Sequence, residues 1–338
     1  LYAIASQAFR GCSALESIEI PASVYFLGGN ITNGVPALTL SYTTVHVFAD
    51  CVSLETVTFL GNNIGLIGQN TFNGCTALRS INLERLTNLT GIGNNAFLKC
   101  SSLQSITIPE SVTTMGTNLF QNCTSLRTAT VNSAANITPY MFDGCTSLES
   151  VTLNPLTKMI GNYAFSNCSS LVDITFPAEL QSLGFSQNSS GTVTMPSYSS
   201  SVYVFQNCSA LESIVIPSQI TEIYKYTFSG CEALSSVDLG NVTAIYPFAF
   251  NQCAALESIE LPDTLLNLGL GQTVTADMEF TTSTSTSDGI TASNLAHTSN
   301  NSVFAGSGLR SITIPASVKA IGPKAFQDCV NLASVTIV

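Results

Sequence analysis

Charge and histidine are scarce in this sequence, and each scarcity removes a class of function. Only 9% of its 338 residues are charged, and only His46 and His297 are histidine. A Ser-His-Asp or Cys-His arrangement needs its members within hydrogen-bond reach, and these two lie in unlike, widely separated stretches. No Cys-x-x-Cys pair, phosphate-binding loop or Gly-x-Gly-x-x-Gly turn after a strand occurs. No zinc or nucleotide site, no cofactor and no enzymatic activity are therefore expected. No Asp-rich loop suggests calcium. Acidic side chains outnumber basic ones 21 to 10, a net charge of −11. That balance argues against nucleic acid as a partner and suits an acidic protein outside the cell. No run approaches the roughly 20 apolar residues of a membrane span, so this chain is not expected to insert into a bilayer. No basic segment leads into an apolar run at its start, so no signal peptide is expected within it.

What the chain has in abundance is a repeat. Phe97–Gly116 reads Phe-x-x-Cys-x-x-Leu-x-x-Ile-x-Ile-Pro-x-x-Val-x-x-Met-Gly, and Phe120 starts it again. The Phe recurs at 9, 48, 72, 97, 120, 142, 165, 205, 228, 250, 304 and 326, which makes twelve units. Three residues after each stands a cysteine, except for Ser307, and all 11 cysteines occupy that slot. Most units span 22–25 residues, but Cys12–Cys51, Cys168–Cys208 and Cys253–Ser307 are 39, 40 and 54 apart. These three carry insertions near 24–47, 183–204 and 268–303. A fixed period overrides the two-domain prior of this length, since stacked units share one continuous core. One solenoid over 1–338 is expected.

Within a unit, Leu-x-x-Ile-x-Ile alternates with period two, so the Ile side chains face inward and the residues between them face out. Strands stack in parallel, one per turn, at about 4.8 Å. A Pro ends many of them, and a Gly after the next apolar pair is read as giving the corner its freedom. The i, i+3 spacing of Phe and Cys predicts a single helical turn that lays both on the core. Same-slot cysteines point the same way, a poor disulfide geometry, so a ladder of small buried thiols is expected.

The motif L-x-x-I-x-I-P-x-x-[LV]-x-x-I-G-x-x-A-F-x-x-C, clear in Leu148–Cys168 and Leu309–Cys329, resembles the BspA-like, or Treponema pallidum-type, subclass of leucine-rich repeats. The resemblance covers nearly everything outside the insertions. It implies a right-handed, strand-dominated solenoid of the α/β class, with its parallel sheet on the concave face and short helical turns on the convex side. It also implies a secreted or surface-exposed protein of bacteria or protist parasites, engaged in adhesion to host or matrix proteins or glycans. Neither end reads as a polar cap, so the chain is expected to be a piece of a longer protein. Any signal or anchor would then lie outside it, and end-to-end self-association through the uncapped strands is open.

Two surfaces are candidates for binding. The first is the outward strand rows, dominated by hydroxyls, with Ser105, Thr128 and Ser150 in one row and Thr107, Thr130 and Thr152 in the other. Ser and Thr also suit any solvated strand face, and Asp238 and Glu260, neighbours in a row, read as ordinary surface rather than a catalytic pair. The second candidate is the insertions, which leave the unit at one point and so map to one side. The first and second have the alternation of short hairpins, and the second and third stand about 14 Å apart by strand spacing. Phe185, Tyr198 and Tyr203 in the second are the aromatic anchor candidates. Against the binding module stands a second reading, a rigid spacer that displays another domain.

Overall fold

A computed structural model describes residues 1–28, 31–32, 35–36, 45–188, 191–278, 280–281, 290–291 and 302–338. The chain is a leucine-rich-repeat solenoid built from short parallel strands. The period-two stretches form the longer strands. Ser105–Ile108, Thr128–Val131 and Ser150–Leu153 pair in parallel and without slippage, Ser105 opposite Thr128 opposite Ser150. Ile106, Ile108, Ala129 and Val131 turn inward and are buried, while the residues between them face water, as the alternation dictates. The ladder continues in Ser17–Ile20, Thr56–Phe59 and Ser80–Ile81, in Ser213–Val215 with Ser236–Asp238, and in Ser311–Ile314 with Ser334–Ile337. It lapses after Ile81. There the Asn82 side chain takes the Phe59 N–H on Oδ1 (2.9 Å) and donates from Nδ2 to the Phe59 carbonyl (3.2 Å), and a 3₁₀ turn over Leu83–Arg85 follows.

The corner after each Pro forms a second parallel ladder. Its strands are two residues long: Ala3–Ile4, Phe26–Leu27, Leu66–Ile67, Gly91–Ile92 and Thr114–Met115 form one run, and Glu222–Ile223, Ala244–Ile245, Asn267–Leu268 and Ala320–Ile321 another. The glycine after each pair serves a purpose other than the conformational freedom expected of it. In regular turns its φ is not positive, and what it supplies is room. A Cβ on Gly93 would come within 2.5 Å of Gln69 N, and one on Gly322 within 2.1 Å of Gly269 O. Left-handed φ appears at Gly28 (79°), Gly184 (116°) and Gly269 (87°), the three glycines from which the insertions depart.

The helical turn expected over Ala-Phe-x-x-Cys does not form. Cys100 N–H does reach Phe97 O (3.2 Å), which the i, i+3 spacing requires, but Asn95 (φ 57°) and Lys99 (φ 61°) on either side are left-handed. A residue there breaks a right-handed helix, and alternate N–H groups run along the solenoid instead. Those of Asn95, Phe97 and Lys99 donate to Thr117, Leu119 and Gln121 of the next turn at 2.9–3.0 Å.

Inside, the twelve Phe rings stack in one column, neighbouring centroids 5.2–5.7 Å apart. Each buried ring contributes about 1.5–3 kcal/mol by burial and about 0.5–1.5 more by pairing. All 11 cysteines are free, and all but Cys12 are buried. Their thiols act as donors: Cys75 to Phe48 O (3.1 Å), Cys100 to Phe72 O (3.2 Å), Cys123 to Phe97 O (3.2 Å), and so on to Cys329 and Phe304 O (3.0 Å). Ser307, of similar size in the same slot, is also buried, its Oγ 3.4 Å from Cys329 Sγ.

Of the insertions, the first pairs Ile31–Thr32 antiparallel with Val35–Pro36 and the second pairs Ser186–Gln187 antiparallel with Val193–Thr194. The third pairs Phe280–Thr281 with Ile290–Thr291 in parallel. Half of the first and more than half of the third, His297 included, lie outside the described residues.

Candidate binding surfaces

The sheet brings the six hydroxyl candidates together. Register places Thr107, Thr130 and Thr152 abreast, two residues along from Ser105, Thr128 and Ser150. Ser105, Thr128, Ser150 and Thr152 are exposed, and Thr107 and Thr130 half-buried. Beside them Arg127 donates to Glu149 at 2.6 Å, both well exposed. The patch is uncharged and hydrogen-bonding, with its backbone fixed by both neighbouring turns.

The three aromatic candidates separate. Phe185 is fully buried. It follows Gly184, whose φ of 116° turns the chain, and its carbonyl takes the Asn162 N–H (2.9 Å), which draws it beneath the loop. It cannot touch a partner. Tyr198 is 43% exposed, near Val193 (39%) and Met195 (52%) in the same insertion. Tyr203 belongs to the solenoid itself, where its ring stacks between Tyr163 (4.7 Å) and Tyr226 (4.6 Å).

That stack belongs to a surface the repeat pattern conceals. Tyr140, Tyr163, Tyr203, Tyr226 and Phe248 each stand two residues before the core Phe and form a second aromatic column, centroids 4.6–4.7 Å apart. All five are half-buried and left-handed, with φ from 52° to 64°. In other turns the slot holds Gln7, His46, Asn70, Asn95, Asn118 and Lys324, also left-handed. Burial raises the phenols of Tyr140, Tyr163 and Tyr226, with Tyr163 pushed up to about 12. Nearby, Tyr224 and Tyr246 replace the corner glycine, and both hydroxyls donate to the Glu222 carboxylate, Tyr246 at 2.7 Å. Burial first, and that carboxylate second, raises both phenols.

Reactive chemistry is sparse. Burial pushes up the thiols of Cys51, Cys75, Cys100, Cys145, Cys168, Cys208 and Cys231, and that of Cys253 to about 12, and a protonated thiol is a poor nucleophile. Among the described residues no group of three or more His, Cys, Asp or Glu is placed to hold a metal. Glu260 separates two open grooves of about 450 and 840 Å³; the larger, between 258–263 and 311–317, is lined by Asp263, Ser311 and Thr313. No helix of the described residues is long and apolar enough to cross a membrane.

The family description "BspA type leucine rich repeat region" matches residues 1–127, 67–191 and 199–333, in six copies. Among curated proteins none matches. Of solved structures, a leucine-rich repeat protein from Bacteroides ovatus is 24% identical with a TM-score of 0.54, the match covering 99% of this chain and 82% of that one. The T. pallidum leucine-rich repeat protein is 25% identical over 51% of this chain and 72% of its own, at a TM-score of 0.43. A leucine rich cell surface protein from Faecalibacterium prausnitzii is 21% identical over 95% and 87%, at 0.35. The Bacteroides ovatus protein shares this solenoid fold.

Proposed function

Because this chain belongs to the BspA-type leucine-rich-repeat family, whose stacked turns present extended surfaces for protein interaction, we propose that it is a non-enzymatic binding module of a secreted or surface-displayed protein. Its role is adhesion to host or matrix proteins or glycans. The observation that carries this reading is how its polar groups are divided. The ladder thiols point at core carbonyls, whereas the hydroxyls of six adjacent strand positions point outward in fixed register. Such a surface can recognise but has nothing to react with.

The test is binding of the folded chain to an array of extracellular-matrix proteins and glycans. Two variants accompany it, Thr130→Lys in the sheet and one with the second insertion cut back to a regular turn. Capture lost with Thr130→Lys puts the contact on the sheet. Capture lost only with the shortened loop moves it to the insertion edge. A blank array from a protein with an intact unfolding transition removes the adhesion reading and favours a rigid spacer, which the unbroken Phe column suits equally well.

A further inference from the structure

The second aromatic column runs between the roots of two insertions. The second insertion re-enters the solenoid at Val202, immediately before Tyr203. Phe248 N–H donates to the carbonyl of Ser302 (3.0 Å), where the third insertion re-enters. Tyr203, Tyr226 and Phe248 thus floor the turns between them.

Local conformation does not call for aromatic residues here. Left-handed φ is disfavoured for bulky side chains and best tolerated by Asn, which is what Asn70, Asn95 and Asn118 provide in the same slot. Five consecutive rings offset that disadvantage only partly by stacking, since all remain half in water. Tyrosine clustered on a surface is the composition of interface hot spots.

What the rings offer to solvent is chiefly hydrogen-bond donors and ring edges. Rings stacked at 4.6–4.7 Å cover each other's faces, so the part left to solvent is the edge, the positive end of the ring quadrupole. The hydroxyls of Tyr140, Tyr163, Tyr203 and Tyr226 have no hydrogen-bond partner among the described residues, so four O–H donors stand open. Lys225, next to Tyr226 in the chain, is half-buried where Lys99, Lys158 and Lys319 are exposed, and makes no ion pair among the described residues. Burial lowers its ammonium from the usual lysine range, as expected of a cation lacking its counter-ion. The two nearby carboxylates keep their charge and are turned to neutral donors of the chain itself. Glu222 holds two phenols, and Asp143, at the Tyr140 end, takes Gln121 (2.8 Å) and Asn167 (3.1 Å).

We propose that Tyr203, Tyr226, Phe248 and Lys225 form a docking surface for a protein segment that presents an Asp or Glu carboxylate between apolar side chains. The inference rests on the protein-binding reading and names the partner's chemistry. A sugar ring is a poorer occupant over Tyr203 and Tyr226, because it stacks on an open aromatic face and theirs have a ring on both sides.

The experiment is selection of a displayed random-peptide library on the full chain. Selected peptides are then measured against Tyr226→Asn, Lys225→Met and the sheet variant Thr130→Lys. Asn occupies the same slot in three turns, so Tyr226→Asn is expected to keep the wild-type melting temperature. The expected result is peptides enriched in Asp or Glu beside Leu, Ile or Phe, each losing about tenfold or more in affinity with Tyr226→Asn and with Lys225→Met, and none with Thr130→Lys. Enrichment of neutral or basic peptides, no enrichment, or binding unchanged in both variants overturns the proposal. A protein captured on the matrix array whose affinity ignores both variants does the same while leaving the binding-module reading intact.

Discussion

In the turn that ends at Cys100 the thiol points at the Phe72 carbonyl of the turn before (3.2 Å), and Cys123, Cys145 and Cys168 repeat the contact on Phe97, Phe120 and Phe142. Each of these carbonyls already takes the N–H of the cysteine three residues on in its own turn, so the thiol from the next turn fills the second lone pair, a contact worth about 0.5–1.5 kcal/mol. Burial also fixes a pH response. Each thiol ionises near pH 9 once the chain unfolds, whereas the fold holds Cys100, Cys145, Cys168 and Cys231 protonated well beyond that. A pKa raised by folding supports the native state fully below the unfolded value and loses that support as pH rises. Stability should therefore hold below about pH 9 and fall above it, by up to about 1.4 kcal/mol per pH unit for each thiol. Urea midpoints at neutral pH and above pH 10 measure this. Cys145→Ser with Cys168→Ser should flatten the decline, and an identical slope in that variant would refute the assignment. Thiol placement was legible in the sequence because all 11 share one slot; the carbonyl partner was not, since a pattern of letters carries no direction for an S–H bond.

At the scale of elements, a glycine after a corner strand differs from one before it. Gly116 has no positive φ, and a Cβ there would sit 2.3 Å from Asn94 N. Gly65 also lacks positive φ, and the nearest atom to its Cβ would be 3.9 Å away. Gly116→Ala should destabilise by about 1–3 kcal/mol, whereas Gly65→Ala should be neutral or stabilise by about 0.4–1 kcal/mol. Thermal unfolding of the two variants separates them, and equal effects would mean the close approach of turns is not what the corner requires. The longer strands could be read because Leu-x-x-Ile-x-Ile shows its alternation over enough residues. The corner strands could not, being two residues long. The Phe-Cys segment reads as helix because i, i+3 spacing is common to a helical turn and a tight turn; Asn95 hints at the left-handed residue that decides between them, but Lys99 does not. Phe185 and Tyr198 stand in an insertion with no periodic frame, so exposure could not be assigned to either. The half-exposed aromatic column stayed hidden because its slot is an unconstrained position of the motif, visible only when all turns are aligned on their Phe.

For the whole molecule, identical slots mean that each turn contacts its neighbours through the same few atoms. Phe97 and Phe120 stack at 5.2 Å, and Phe120 and Phe142 at 5.6 Å. Removing residues 98–120, one whole unit, should let Phe97 stack on Phe142 and Cys123 take over the Phe72 carbonyl that Cys100 holds, with unfolding still cooperative. Removing residues 98–113 should destroy the transition, because it shifts every inward side chain after the junction. Circular dichroism through a denaturant series compares the two, and matched behaviour would contradict the slot-for-slot equivalence. The insertions leave from left-handed glycines at one corner and re-enter at or just before the slot two residues ahead of the core Phe, outside the Phe and Cys slots. Recombination between units can therefore lengthen or shorten the rod in whole steps, while point changes remodel the loops. A gene built this way holds its reach and its recognition as two separately heritable traits.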